Sequence, residues 1–197
     1  MHAGLVLLAI STLLFQGTAF QHSSTTSREV MVLETDVGNI VIELLPETAP
    51  KHVKNFKGLV SQGFYNGTLF HRIVKGHGQP VAIQGGDPNT IDGTPSTWGQ
   101  GQPGQPTVPA EFSKTLKHVR GTVSMARRND DEDSATSQFF ICREAEPQWD
   151  GRWSIFGRVI EGMEVVDAIA TGPTVPDTDR PVHPVRIKRA RLGESPK

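Results

Sequence analysis

Phe70-His71-Arg72-Ile73-Val74-Lys75-Gly76-His77-Gly78-Gln79-Pro80-Val81-Ala82-Ile83-Gln84-Gly85-Gly86-Asp87-Pro88 decides how this chain is read. Two short apolar runs flank a Gly- and Pro-containing connection, and Gly85-Gly86-Asp87-Pro88 closes them with a turn signature. If both runs are strands, side chains alternate between faces. Phe70 and Arg72 are then expected on one face of the first strand, and Ala82 and Gln84 on one face of the second. A charged fork donor and an amide become candidate neighbours on one sheet surface.

Working outward, Val30 to Thr35 and Ile40 to Leu44 read as strands joined by a hairpin turn at Asp36-Val37-Gly38-Asn39. Thr48 or Glu47 opens a helix with Pro50 in its first turn, where a missing N–H costs little. Val53, Phe56, Leu59 and Val60 give it an apolar stripe, Lys51, Lys54 and Lys57 a solvated side, and Gly63 a stop. Asn89 to Pro109 is a long Gly-, Pro-, Gln- and Thr-rich connection, a length usually associated with function or mobility. Arg120 to Ala126 reads as a strand. In Ser137 to Cys142, Gln138 and Phe140 share one face while Phe139 and Ile141 share the other, so one pair serves the core and the other lines a surface. Trp153 to Ile160 is another strand, Gly162 to Ala170 a short helix ending at Gly172, and Val185 to Leu192 a last strand. There the apolar phase changes between Ile187 and Ala190, which suggests a bulge. Strands dominate and no βαβ alternation occurs. The pattern supports a mainly antiparallel barrel or sandwich with two helices.

Composition narrows the classes. A chain of 197 residues with net charge −1 suits one globular domain and gives no electrostatic reason to expect nucleic acid. Twenty Gly and fourteen Pro favour a turn-rich β fold over a helical bundle. The single Cys142 excludes an internal disulfide and reads as a small buried apolar residue. Asn129-Asp130-Asp131-Glu132-Asp133 lacks the central Gly and distal Glu of a calcium loop and reads as a solvated acidic loop. Leu5 to Phe15 is a short apolar run followed by the small residues Gly17-Thr18-Ala19, the pattern of a secretory signal peptide over residues 1–19. It is shorter than the roughly 20 residues of a membrane span, so no stable span is expected. A polar spacer over residues 20–29 precedes the domain.

Three blocks in order, Phe70-His71-Arg72, Gln84-Gly85-Gly86-Asp87 and Ser137-Gln138-Phe139-Phe140-Ile141, resemble the signature of the cyclophilins, a family of peptidyl-prolyl cis-trans isomerases. Trp98-Gly99 and Pro109-Ala110-Glu111-Phe112 resemble further landmarks. The resemblance runs from about Val30 to Leu192, giving a domain over residues 30–193. It implies a mainly β fold, a closed eight-stranded antiparallel barrel with two capping helices. It implies rotation about X–Pro bonds in proline-containing polypeptides, with no cofactor, no metal and a monomeric enzyme. By motif match Arg72 and Gln84 are the catalytic residues. Phe70, His71, Ala82, Ala126, Arg127, Gln138, Phe140, Trp149 and Trp153 bind substrate, with Phe140 as pocket floor and His71 in a supporting role.

This chain departs from typical members in several places. The connection around Gly76-His77-Gly78-Gln79 is longer. Val81-Ala82 stands where members carry Phe-Met, so the pocket loses apolar wall. Trp149 and Trp153 stand where members carry Leu and His or Tyr, and are expected to refill that volume. Gln148 takes the position of a Trp associated with cyclosporin binding, which implies a weak complex that calorimetry can check. Arg127-Arg128 with Asp130 to Gln138 resembles exported bacterial cyclophilins. With the leader, this implies a periplasmic or secreted protein, a eukaryotic secretory protein being the other reading. The competing function is a binding module that grips Pro-containing segments with little turnover. A sugar- or nucleotide-binding β-domain has no supporting motif, there being no Gly-rich phosphate loop followed by Lys-Ser/Thr.

Overall fold

A computed structural model describes Met1 and residues 27–195. The expected leader, Met1 apart, and most of the spacer lie outside the described residues.

The chain opens with a hairpin of β1 (Arg28–Thr35) and β2 (Gly38–Leu44), followed by helix α1 (Pro50–Ser61). Strands β3 (Leu69–Phe70), β4 (Arg72–Gly76) and β5 (Gln79–Gly85) come next, then a one-turn helix α2 (Asn89–Asp92). After a long connection come β6 (Thr122–Met125), β7 (Phe139–Cys142), a 3-10 turn at Pro147–Trp149 and β8 (Ile155–Glu161). Helix α3 (Met163–Ala170) and β9 (Val185–Ser195) finish the fold.

The sheet order is β3-β9-β1-β2-β8-β6-β7-β5-β4, and every neighbouring pair is antiparallel. Its first and last members, β3 and β4, are two parts of one stretch interrupted at His71. Leu69 and Phe70 pair with β9, whereas Arg72 to Gly76 pair with β5. The His71 amide already donates to the Gln84 carbonyl at 3.1 Å. The sheet therefore returns on itself, and counting β3 and β4 as one strand gives the expected eight. Closure leaves no unpaired edge.

This hand-over corrects one expectation. Phe70 and Arg72 do not share a face: Phe70 is buried, Arg72 is exposed, and Ile73 is buried again. Simple alternation fails because the chain turns a corner at His71 while it changes partners. A bulge between β1 and β9 shifts the register from Glu34↔Arg189 to Thr35↔Ile187, which accounts for the phase change in the last strand.

The core fills the barrel with interlocked rings. Phe56 lies 4.4 Å from Phe156, 5.0 Å from Tyr65 and 5.4 Å from Phe139, and Phe139 meets Phe70 edge-on at 6.0 Å. Helix α1 lays Val53, Phe56 and Val60 on the barrel, and α3 contributes Val165, Val166 and Ile169. Pro50 does stand in the first turn of α1, but neither Thr48 nor Glu47 caps it. The orphan amides of Lys51 and His52 donate instead to the Glu111 carboxylate at 3.1 and 3.0 Å. Gly86 shows why the turn after β5 needs glycine. Its φ is +82°, and a Cβ there would stand 2.8 Å from the Ser137 carbonyl oxygen. That close approach brings the start of β7 against β5, with Ser137 Oγ donating to the Gly86 carbonyl at 2.9 Å.

Candidate active site

Register assembles the polar part of the site. Arg72 on β4 stands opposite Gln84 on β5, and Gln84 stands opposite Phe140 on β7. The three form a row across three adjacent strands. Arg72 Nη1 donates toward Gln84 Oε1 at 3.5 Å, Gln84 Nε2 donates to Gln138 Oε1 at 3.0 Å, and Gln138 Nε2 donates to the Gly99 carbonyl at 3.1 Å. A chain of donors and acceptors thus runs from the guanidinium to the far wall. Behind it, Nε and Nη2 of Arg72 both donate to Asp179 Oδ2, at 3.1 and 3.0 Å.

The apolar part is a cluster outside the main core, made of Ala82, Phe140 and Cys142, with Val74, Ala126, Trp149 and Trp153 packed against it. Trp149 meets Phe140 edge-on at 5.0 Å, and Trp153 lies 6.1 Å from Trp149. The guanidinium carbon of Arg127 sits 4.9 Å over the Trp153 ring, a cation–π contact. Val81 is buried but outside this cluster, so only Ala82 of that pair bears on the pocket. Burial pushes the Cys142 thiol well up, which leaves it a packing residue.

His118 holds the floor from below. Its ring stacks on Phe140 at 6.0 Å, its Nε2 meets Ser124 Oγ at 2.9 Å, and its Nδ1 meets Asp150 Oδ1 at 3.1 Å. Burial lowers the pKa of His118 more than Asp150 raises it. The neutral ring therefore carries its proton on Nδ1, because the carboxylate only accepts, and Nε2 accepts from the Ser124 hydroxyl.

Arg72, Gln84, Ala126, Arg127, Gln138 and Phe140 line one groove of about 940 Å³, together with Trp149 and Trp153. The indoles line it rather than block it. Its opposite wall is the connection from Gly99 to Gln105. That wall is pinned by Asp87, whose carboxylate accepts from the amides of Asn89 and Gly99, and by Asn89 Nδ2 donating to the Gly101 carbonyl at 2.6 Å. Three of the expected residues lie elsewhere. Phe70 belongs to the barrel core against Phe139, because the break at His71 turns it inward. His71 is buried, with neither ring nitrogen hydrogen-bonded. It backs the wall, since a Cβ on Gly99 would stand 3.6 Å from its Nε2. Ala82 lies under the cluster and outside the groove lining.

Sequence reasoning missed Asp179, the His118–Asp150 support and the pinning by Asp87. The turn signature marks Asp87 itself, but no local pattern marks its reach to Gly99 or the other contacts, because each joins residues distant in sequence. The acidic loop carries its own partners: Arg128 pairs with Asp131 at 2.5 Å, and Asp133 accepts from the Ala110 amide at 2.8 Å. No group of three or more potential metal ligands occurs among the described residues, and none of their helices is long and apolar enough to cross a membrane.

The model of the family "Cyclophilin type peptidyl-prolyl cis-trans isomerase/CLD" matches residues 30–192. The chain is 40% identical over 168 residues to "Peptidyl-prolyl cis-trans isomerase-like 3" of Gallus gallus, covering 84% of this chain and 97% of that protein. It is 39% identical over 197 residues to "Peptidyl-prolyl cis-trans isomerase A" of Dickeya dadantii, covering 95% and 96%. Its fold is similar to a Cryptosporidium parvum cyclophilin type isomerase solved in the presence of the dipeptide Ala-Pro, with a TM-score of 0.72 and 30% identity, covering 84% of this chain and 99% of that one. The chain therefore belongs to the cyclophilin family and is a peptidyl-prolyl cis-trans isomerase.

Proposed function

We propose that this isomerase accelerates slow X–Pro steps in the folding of exported proteins, with Arg72 as its electrostatic catalyst. The chemistry needs no nucleophile and no proton shuttle. Rotation about the C–N bond is opposed by about 18–20 kcal/mol of resonance-derived barrier, and uncatalysed exchange takes tens to hundreds of seconds for X–Pro bonds. A donor that hydrogen-bonds the prolyl nitrogen as it becomes pyramidal removes its lone pair from conjugation and stabilises the twisted state over the planar one. A guanidinium suits that role, being a cation with rigidly held N–H groups.

In this reading the proline ring rests on Phe140, with Ala126, Trp149 and Trp153 around it. Gln84 grips the carbonyl at the proline, and Gln138 and the main chain at Ala126 and Arg127 hold the flanking backbone. The single observation that carries the reading is the Arg72–Gln84–Phe140 row opening onto one groove. That a solved relative of similar fold was crystallised in the presence of the dipeptide Ala-Pro agrees with it.

The test is a protease-coupled isomerisation assay on an X–Pro peptide. Arg72→Ala should cut kcat/KM by about a hundredfold, the usual loss on removing a donor aimed at the transition state. Activity within twofold of wild type would remove Arg72 from the chemistry. Export rests on the leader together with the resemblance of Arg127-Arg128 and Asp130 to Gln138 to exported bacterial cyclophilins. Expression of the full chain in a secreting host should yield a mature form beginning near Phe20, and an intact mass that retains residues 1–19 would refute it.

A further inference from the structure

We propose that Asp179 is a positioning residue for catalysis, aiming the Arg72 guanidinium at the bound proline from outside the groove. The inference rests on the reading of Arg72 as catalyst.

The guanidinium carries five N–H groups on a planar fork. Asp179 Oδ2 takes the Nε edge, accepting from Nε at 3.1 Å and from Nη2 at 3.0 Å. The remaining edge, Nη1, turns toward Gln84. Arg72 and Gln84 line the groove and Asp179 does not. A substrate therefore reaches the Nη1 edge without displacing the carboxylate, which distinguishes a positioning contact from an inhibitory one.

Asp179 is itself built into the barrel. Its carbonyl accepts from the Ile73 amide at 2.7 Å, so it is fixed on β4 beside the residue it orients. The segment around it folds on itself through Val175 N–H to the Arg180 carbonyl at 2.9 Å and Val182 N–H to the Pro173 carbonyl at 2.8 Å. Lys75, also on β4, donates from Nζ to Thr174 Oγ1 and the Thr178 carbonyl, both at 3.0 Å. The whole segment is thus docked on the catalytic strand.

The ion pair is too exposed to matter much for stability, with 48% and 33% of the two side chains accessible. Its effect lies in orientation. A free arginine side chain samples many rotamers, and a donor fixed before the reaction loses no freedom at the transition state. Carboxylate charge beside the cation would by itself weaken Arg72 as a donor, so charge and orientation predict opposite signs on removal.

Asp179→Ala should lower kcat about tenfold with KM within about twofold, the scale of one charge-assisted hydrogen bond. Asp179→Asn keeps an acceptor oxygen and the main-chain bond to Ile73, and should recover most of that loss. In nitrogen-15 NMR, the Arg72 Nε–H signal should be protected from solvent exchange in wild type and Asp179→Asn, and lost in Asp179→Ala. An unchanged or raised kcat in Asp179→Ala overturns the proposal, as does an Nε–H exchanging freely in wild type. Arg72→Ala in the same assay separates the two ideas: if it retains activity, the catalytic reading of Arg72 fails first.

Discussion

Arg72 and Phe140 are supported by different physics. The cation is exposed and is steered by a carboxylate 107 positions away, whereas the ring is buried and is set by packing on both sides. Trp149 is the indole that touches the pocket floor directly. It meets the Phe140 edge at 5.0 Å in the cluster that contains Ala82, a position too small to wall the pocket by itself. Trp149→Leu should therefore lower kcat/KM about fivefold to tenfold, from lost ring contact and apolar area, with the fold intact. Unchanged kinetics would show that the indole does not replace the missing wall.

Among the elements, α1 and the strands around His118 depend on buried imidazoles. His52 meets Glu111 at 2.7 Å through Nδ1, and its Nε2 has no hydrogen-bond partner. Burial lowers the pKa of His52, His71 and His118 in the folded chain, outweighing the nearby carboxylates. Below about pH 6.5 the unfolded chain takes up protons that the folded chain refuses, so stability falls as pH drops through that window, by up to about 1.4 kcal/mol per pH unit for each histidine. Glu111 adds to the same trend. Burial raises its pKa, but the His52 and Lys51 contacts leave the net value lowered from 4.5, so its share of stability is lost at lower pH, below the histidine window. Urea midpoints should drop between pH 7.5 and pH 5.5, and a flat or rising midpoint would contradict this account.

At the scale of the molecule, the barrel closes because one stretch serves two edges. The hand-over at His71 seats Phe70 in the core and Arg72 on the surface, two residues apart. The row of Arg72, Gln84 and Phe140 is likewise set by the sheet, since two successive antiparallel registers must agree for the three to align.

Much of this was legible in the chain before folding. Alternation in Ser137 to Cys142 separated Phe139 and Ile141, which reach the core, from Gln138 and Phe140, which reach the groove. The stripe on α1, its Pro50 start, the hairpin after Thr35 and the glycine turn at Gly86 were equally local, because periodicity and φ preference act within a few residues. Motif order carried the family. What tertiary structure alone decided are the pairings that close long loops: Glu111 capping α1, His118 and Asp150 beneath Phe140, Asp87 pinning Gly99, and Asp179 behind Arg72. The inward turn of Phe70 belongs with them. A side chain's direction follows from its own strand only while that strand keeps one partner, and at His71 the partner changes.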